Sequence, residues 1–598
     1  MRTNHWLSIV VPGLGFGLAL LLNEAWSLAP SSTTPGILYV SADDPACGGR
    51  SPCFATIQAA VDAAADGDEV RVATGTYTGS APATVEGNTY TQVVLITKSL
   101  TLQGGHTNSN WETPDPAMNR TVIDAGGKGR GISIVGNGTQ TVTVAGFTIT
   151  NGDYTGLGNP PGTNQVCVRT GSDCGGGLFA RHVTLNLRDC VITGNVASRA
   201  QAFSDGGGAY LWSLNSGSRV ENVTFSHNRA ETFDGAGGGL GIVFGRGLTI
   251  VNCRFEQNRS SRGGGLYIFQ PAGPVVIENT AFTRNTASGE GGALEARLTF
   301  PETALRLNRV TMRKNAARSQ AAAMSLLKQG TGVTTVKMTN VVLAYNSLTN
   351  PGSYSAVFDA AVTSGELSLQ LAHLTWADQP ELAGLRLKSS GGPVTATLVN
   401  TVIHSTASAF VGSEFEGEVR IHHTRTLLNL VRLLHVTQSG SPVFEAIEPL
   451  EGGLLLDDTQ HLRAGSAGID AGVNSGVSDD MDGDPRPSGA GYDIGADEFL
   501  PGTSSPSSTR TPTIPSRPTA IRTTSATSTP TLTPNVVVER TLWDIAALRG
   551  SARVRRCSPQ RQAILPYREM IGIADTNPMG AIQSEKVWSF RKAGNVAA

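Results

Sequence analysis

The sequence predicts an all-β chain, a single-stranded parallel β-helix of about ten coils with a short N-terminal capping helix. Three observations carry this. A mark of the form F-x-x-N returns at Asn195, Asn228, Asn258, Asn285, Asn315 and Asn346. A small-residue cluster precedes each mark, such as GGGL at 237 and at 263, GGAL at 291 and AAAM at 321. Counted back from each Asn, the third residue (Ile192, Phe225, Phe255, Phe282, Met312, Leu343) and the eighth (Leu187, Val220, Ile250, Ile277, Leu307, Met338) are always apolar.

Between those apolar positions, six back, stand Asp189, Asn222, Asn252, Asn279, Arg309 and Asn340. Period-two alternation predicts strands, and the break in phase at this polar position predicts a bend. Each unit is too short to bury its own apolar face, so successive units must stack in register. Asn at repeated bends then forms amide ladders, and clustered Gly suits strained corners or close backbone approach.

The chain has 598 residues, too many for one compact core. Its 46 basic and 48 acidic residues leave a net charge of −2, which gives no footprint for nucleic acid. At the N-terminus, Arg2 and His5 precede an apolar run from Trp6 to Leu22, with Ser27-Leu28-Ala29 offering a cleavage site. Residues 1–29 therefore read as a signal peptide, or else as an uncleaved anchor. No second stretch is apolar enough to span a bilayer, so no transmembrane span is expected after cleavage and a secreted or cell-surface location follows.

Seven cysteines suit that compartment if some are bridged. Cys47 with Cys53 and Cys167 with Cys174 each flank a short loop and are candidate local disulfides, or free pairs. Cys190 and Cys253 share one register position two coils apart, roughly 10 Å at strand spacing, which is too far for a disulfide. Cys557 has no evident partner.

From Cys53 to Tyr77 the sequence supplies the cap: Ile57, Val61 and Ala64 fall on one helical face, Asp66-Gly67-Asp68 ends the helix, and Val70-Arg71-Val72 starts a strand. TVTVAGFTIT and SLTLQGG read as early coils. Late coils place Leu369, Leu371, Leu374, Trp376, Leu398 and Ile403 inside with Asn400 at a bend, and continue to Asn429.

The helix-to-strand entry ending in Gly75-Thr76-Tyr77 resembles that of the pectin-lyase-like superfamily. The pairing of GGAL with FTRN and FSHN is similar to the repeats of chlamydial polymorphic outer-membrane proteins, which are secreted adhesins. Across about residues 37 to 445 these resemblances imply a right-handed parallel β-helix, on a scaffold that hosts adhesins, lyases and hydrolases alike. No C-terminal series of membrane strands is seen, so no autotransporter barrel is expected. GSAGIDAG, DGDPRP and DIGADEF in residues 461 to 499 look like the choice-of-anchor Q module of bacterial surface proteins, although Gly468 replaces a more typical Pro.

The expected organisation is thus a signal peptide (1–29), a β-helix (30–445), a choice-of-anchor Q-like module (446–500), a Thr/Ser/Pro-rich linker (501–535) and a basic tail (536–598). The linker reads as extended. The tail is either a wall-binding segment or poorly ordered.

Candidate chemistry is sparse. Asp173, Asp205, Asp234 and Glu290 precede the glycine clusters and are expected along one edge, one per coil, with Arg262 between. Such a strip suits acid–base work on a glycosidic bond or calcium beside an acidic sugar; ordinary turn chemistry is the competing account. Arg229, Arg259, Arg284 and Arg313 gather near the second Asn bend and are candidates for binding a uronic-acid chain. Asp480, Asp482 and Asp484 resemble the first part of a calcium loop, or form an Asp-rich turn; the bidentate Glu is missing. His373 and His423 are placed in bend columns.

No trio of cation site, base and groove assembles from spacing, so no enzyme activity is assigned. The favoured expectation is a bacterial surface or secreted adhesin-like protein contacting a polysaccharide or cell-surface ligand. A polysaccharide lyase or glycoside hydrolase, and a structural spacer, are the alternatives.

Overall fold

The computed structural model describes residues 35–501 apart from 159–166, 168–170, 201–202, 301–303, 352–354, 405, 414–418 and 429–452. The predicted signal peptide, nearly all of the linker, the basic tail, Cys557 and Asn429 lie outside the described residues.

The described chain winds into a β-solenoid of about 11 turns with parallel sheets. Each coil contributes to a main sheet of twenty strands, which bends between its two strand segments, and to a second sheet of twelve. A five-stranded sheet of very short strands follows the Asn mark in the middle coils. Among the described residues the one antiparallel strand pair is a hairpin of Ala81–Val85 with Asn88–Ile96.

The registers make the apolar pattern physical. One interior column runs Leu38, Val70, Leu102, Val144, Leu187, Val220, Ile250, Ile277, Leu307, Met338, Leu371 and Leu398. A second runs Ile123, Ile149, Ile192, Phe225, Phe255, Phe282, Met312, Leu343, Trp376 and Ile403. All these residues are buried and belong to one core. Phe225, Phe255 and Phe282 stack at centroid spacings of 4.9 and 4.6 Å, the repeat of the strands themselves.

The two Asn columns do different work. Asn222, Asn252, Asn279 and Asn340 occupy the first bend with φ near +50°, a conformation Asn tolerates better than most residues. Asp189, Arg309, His373 and Asn400 take the same place in other coils. His423 does not: it pairs with Leu398 in an interior column, and Arg425 holds the bend with φ 50°.

The register-mark asparagines instead point inward, one residue beyond the second bend. Each Nδ2 donates to the next Oδ1, from Asn195 through to Asn346, at 2.9 to 3.0 Å. Gln379 follows in the next coil and bonds to main-chain carbonyls, so the amide relay ends at Asn346.

The glycine triplets have equally local reasons. Gly263 turns the corner at φ 56°. At Gly264 a Cβ would lie 2.3 Å from the Gly292 carbonyl oxygen of the next coil, so backbone packs directly on backbone.

The N-terminal cap is a helix over Ile57–Ala63, with Thr56 as N-cap and Ile57, Ala60 and Val61 buried. Asp68 then accepts hydrogen bonds from Gly36 N and Ala65 N, fixing the turn into the first coils. Cys47–Cys53 and Cys167–Cys174 are disulfides, and Cys190 and Cys253 are free and buried.

Residues 453–501 dock along the flank of the late coils. Asn400 bonds to Val473, Thr375 Oγ1 accepts from Ala496 N, and Arg309 pairs with Asp479. No helix among the described residues is long and apolar enough to cross a membrane.

Candidate functional site

Which face of the coil stack can receive a ligand follows from burial. One outward column of the second sheet, Phe179, Tyr210, Tyr267, Glu295, Ser325, Asp359 and Arg386, is buried. At its early end the Arg130 guanidinium is sandwiched between Tyr154, at 3.3 Å, and Phe179, at 4.6 Å. It donates to the Cys174 and Gly175 carbonyls, and burial lowers its pKa.

The main sheet is open. Its outward column reads Thr101, Thr143, Asn186, Arg219, Thr249, Val276, Arg306, Lys337, Gln370 and Thr397. Of these, Arg219, Arg306, Lys337, Gln370 and Thr397 are exposed. Two hollows lie on this column. The early one, about 270 Å³, is bordered by Asn186, Arg188, Arg219 and Glu221, with Arg219 and Glu221 paired at 2.9 Å. The late one, about 780 Å³, is bordered by Glu278, Arg306, Lys337 and Gln370 on the sheet and by Gly476–Asp479 on the docked C-terminal segment.

The predicted acidic strip is not a strip. Asp205 stacks on Cys174, Ala236 and Arg262, which leaves Asp173 one residue and Asp234 two residues out of that column. Asp173 is buried and accepts hydrogen bonds from Gly156 N, Gly158 N and Ser198 Oγ; burial raises its pKa. Asp234 pairs with Arg262 at 2.8 Å, and Glu290 accepts from Ser325 Oγ. The acidic residues stand at different offsets from the glycines, Asp205 and Glu290 directly before Gly206 and Gly291 but Asp173 and Asp234 further back from Gly175 and Gly237.

The four arginines are not one surface either. Arg229 and Arg259 stack directly and share Glu231 at 3.7 and 3.6 Å. Arg284 sits in the second bend at φ 55°. Arg313 lies over Tyr345 and donates to the Thr459 and Asp458 carbonyls, so it anchors the C-terminal segment.

Asp480, Asp482 and Asp484 do not converge as a calcium loop. Asp480 is buried, and its Oδ1 accepts from the main-chain N–H groups of Asp482, Gly483 and Asp484 at 2.8 to 2.9 Å. Its Oδ2 accepts from Glu498 N, so the carboxylate is an organiser of the turn. Asp482 faces His461 Nε2 at 2.6 Å instead. Burial opposes the charged imidazole, but the bond to Asp482 and the charges of Asp497, Asp482 and Asp457 together push His461 up to about 9. Nothing in the sequence flagged His461, since its partners are 21 and 36 residues away.

Comparison with known proteins agrees with this architecture. The family described as "Right handed beta helix region" matches residues 130–360. Over 140 residues the chain is 31% identical to the probable autotransporter YfaL of Escherichia coli (strain K12); the alignment spans 20% of this chain and 11% of that protein. The unbroken interior columns and the family match over residues 130–360 give the fold as a right-handed parallel β-helix.

Proposed function

We propose that this is a secreted or cell-surface, adhesin-like protein whose main-sheet face contacts glycan chains. The observation that carries the reading is the polar outward column with its late hollow, where Arg306 and Lys337 are adjacent and exposed. A flat sheet face with polar groups repeating at strand spacing suits an extended polymer better than a small molecule. The two cations suit carboxylate or sulfate groups on that polymer. Partial similarity to a probable autotransporter supports a place at the cell surface.

The test is a glycan array probed with the full chain, followed by binding measurements on the best ligand class. Arg306→Ala with Lys337→Ala is expected to weaken binding at least tenfold, whereas Arg229→Ala with Arg259→Ala leaves it within about twofold. Absence of any glycan binding, or equal loss in both double variants, overturns the assignment. Product release from an acidic polysaccharide favours an enzyme on this scaffold instead.

A further inference from the structure

We propose that His461, Asp482 and Asp497 form a binding site for one divalent transition cation, with Zn²⁺ the best match. The three come from separate stretches, the turn at 457–461, the DMDGD turn and the DIGADEF segment. One ligand atom from each lies within 4.8 Å of the others, so small side-chain rotations bring them to bonds of about 2 Å. Among the described residues no other group of three His, Cys, Asp or Glu side chains converges in this way.

Hydrogen bonds around the cluster pre-orient each ligand. Thr459 Oγ1 donates to Asp457 Oδ1 at 2.7 Å, and therefore accepts from His461 Nδ1 at 2.7 Å. The Nδ1 proton is thereby fixed, and Nε2 is directed at Asp482 Oδ2, 2.6 Å away. An imidazole held through its far nitrogen by a hydroxyl and a carboxylate is a recurrent support for metal ligation. Asp497 Oδ2 accepts from Leu462 N at 2.7 Å, which leaves its second oxygen for the site.

Charge and access agree. Asp457, Asp482 and Asp497 surround a single imidazole, and two of these carboxylates balance a dication. His461 and Asp497 are buried, while the Asp482 side chain is 39% exposed, so the cluster opens to solvent on one side. That side gives a path for entry and a position for water. A nitrogen ligand with two carboxylates favours zinc over calcium or magnesium, which take oxygen sets. On binding, the cation replaces the proton between Nε2 and Asp482, and that proton leaves to solvent.

The bound ion would clasp the three stretches of the C-terminal segment that docks on the late coils. Gln460 beside the site already reaches Asp378, and Arg313 holds the Thr459 carbonyl. The site shares the C-terminal segment with the late hollow but uses none of the residues that line it.

The test is isothermal titration of Zn²⁺ into the chelator-treated full chain, in two buffers of different ionisation enthalpy. One ion per chain is expected with a Kd of micromolar or tighter, release of about one proton, and no competition from equimolar Ca²⁺. His461→Gln and Asp482→Asn should each weaken binding at least tenfold, and Asp484→Asn should not change it. Circular dichroism confirms that the exposed Asp482→Asn variant is folded. Absence of saturable binding, or an affinity unchanged in both His461→Gln and Asp482→Asn, overturns the site.

Discussion

The buried amide ladder yields the sharpest prediction, the effect of Asn258→Ala. In the native coil Asn258 Oδ1 accepts from Asn228 N at 3.1 Å and from Asn228 Nδ2 at 3.0 Å. Its Nδ2 donates to Phe225 O and to Asn285 Oδ1, both at 2.9 Å. Truncation strands the main-chain N–H of Asn228 and one of its two Nδ2 hydrogens, the other keeping Ile192 O at 2.8 Å, and Asn228 is fully buried, so no water replaces the lost partners. Asn285 Oδ1 fares better, because it keeps the main-chain N–H of Asn258. At about 1–3 kcal/mol per stranded buried group, the substitution destabilises the local coils by about 4 kcal/mol. The control is Asn252→Ala in the exposed bend column. It loses one bond from Asn279 Nδ2 and puts Ala at φ 54°, which together cost about 1–2 kcal/mol. A repeat array unfolds piecewise, so the assay is native-state hydrogen exchange of the amides in residues 225–260. Protection there should fall about a thousandfold for Asn258→Ala and about tenfold for Asn252→Ala. Equal losses in the two variants refute the claim that the inward ladder, and not the bend column, secures the coils.

Three further outcomes are expected. Gly264→Ala drives a Cβ to 2.3 Å from the Gly292 carbonyl and 2.8 Å from Thr286 backbone, so the coils must part at a cost of about 3 kcal/mol; a thermal unfolding midpoint equal to wild type contradicts this. Burial pushes the Cys190 and Cys253 thiols up to about 12, so an aromatic disulfide reagent at pH 8 should label neither in the native chain and both once urea unfolds it. His373 donates from Nδ1 to the Gly495 carbonyl and accepts at Nε2 from Asn400 Nδ2, and burial lowers its pKa to about 3. The unfolded chain takes up a proton near 6.5 where the folded chain does not. Stability is therefore fully present above that pH and falls by about 1.4 kcal/mol per unit between pH 6.5 and 3. Urea titrations at pH 4, 5 and 7 should show a slope that His373→Asn flattens; parallel profiles count against it.

What was legible in the sequence was whatever the repeat enforces locally. Phe225, Phe255 and Phe282 return at one register position, and stacking requires that position to be interior. The same register excluded a Cys190–Cys253 bond, since Val223 stands between them in the column. Register could not tell the two Asn columns apart, because an outward residue at positive φ and an inward residue just past a bend look alike in sequence. The side on which Asn258 points depends on Gln257 holding the bend at φ 53°, and Gln announces no such role.

The acidic and arginine candidates do not gather, for a related reason. Stacking keeps the residue just before each glycine cluster in one column, Cys174, Asp205, Ala236, Arg262 and Glu290, but the acidic residues do not all stand at that offset. Asp173 stands two residues before GGG and Asp205 only one, so Asp173 pairs across to Ser204 and turns to the Gly156 and Gly158 amides. The C-terminal segment lies further from prediction, because it follows no period at all. Its docking walls the late hollow beside Arg306 and Lys337, and its own folding brings His461 to Asp482 and Asp497. Both proposed sites therefore depend on the non-repetitive segment, one as a groove wall and one as a ligand set. If that dependence holds, cutting the chain before residue 453 should leave the coil interior protected from hydrogen exchange while removing zinc binding and weakening glycan binding together. Retention of full glycan affinity in the truncated chain would assign that contact to the sheet alone.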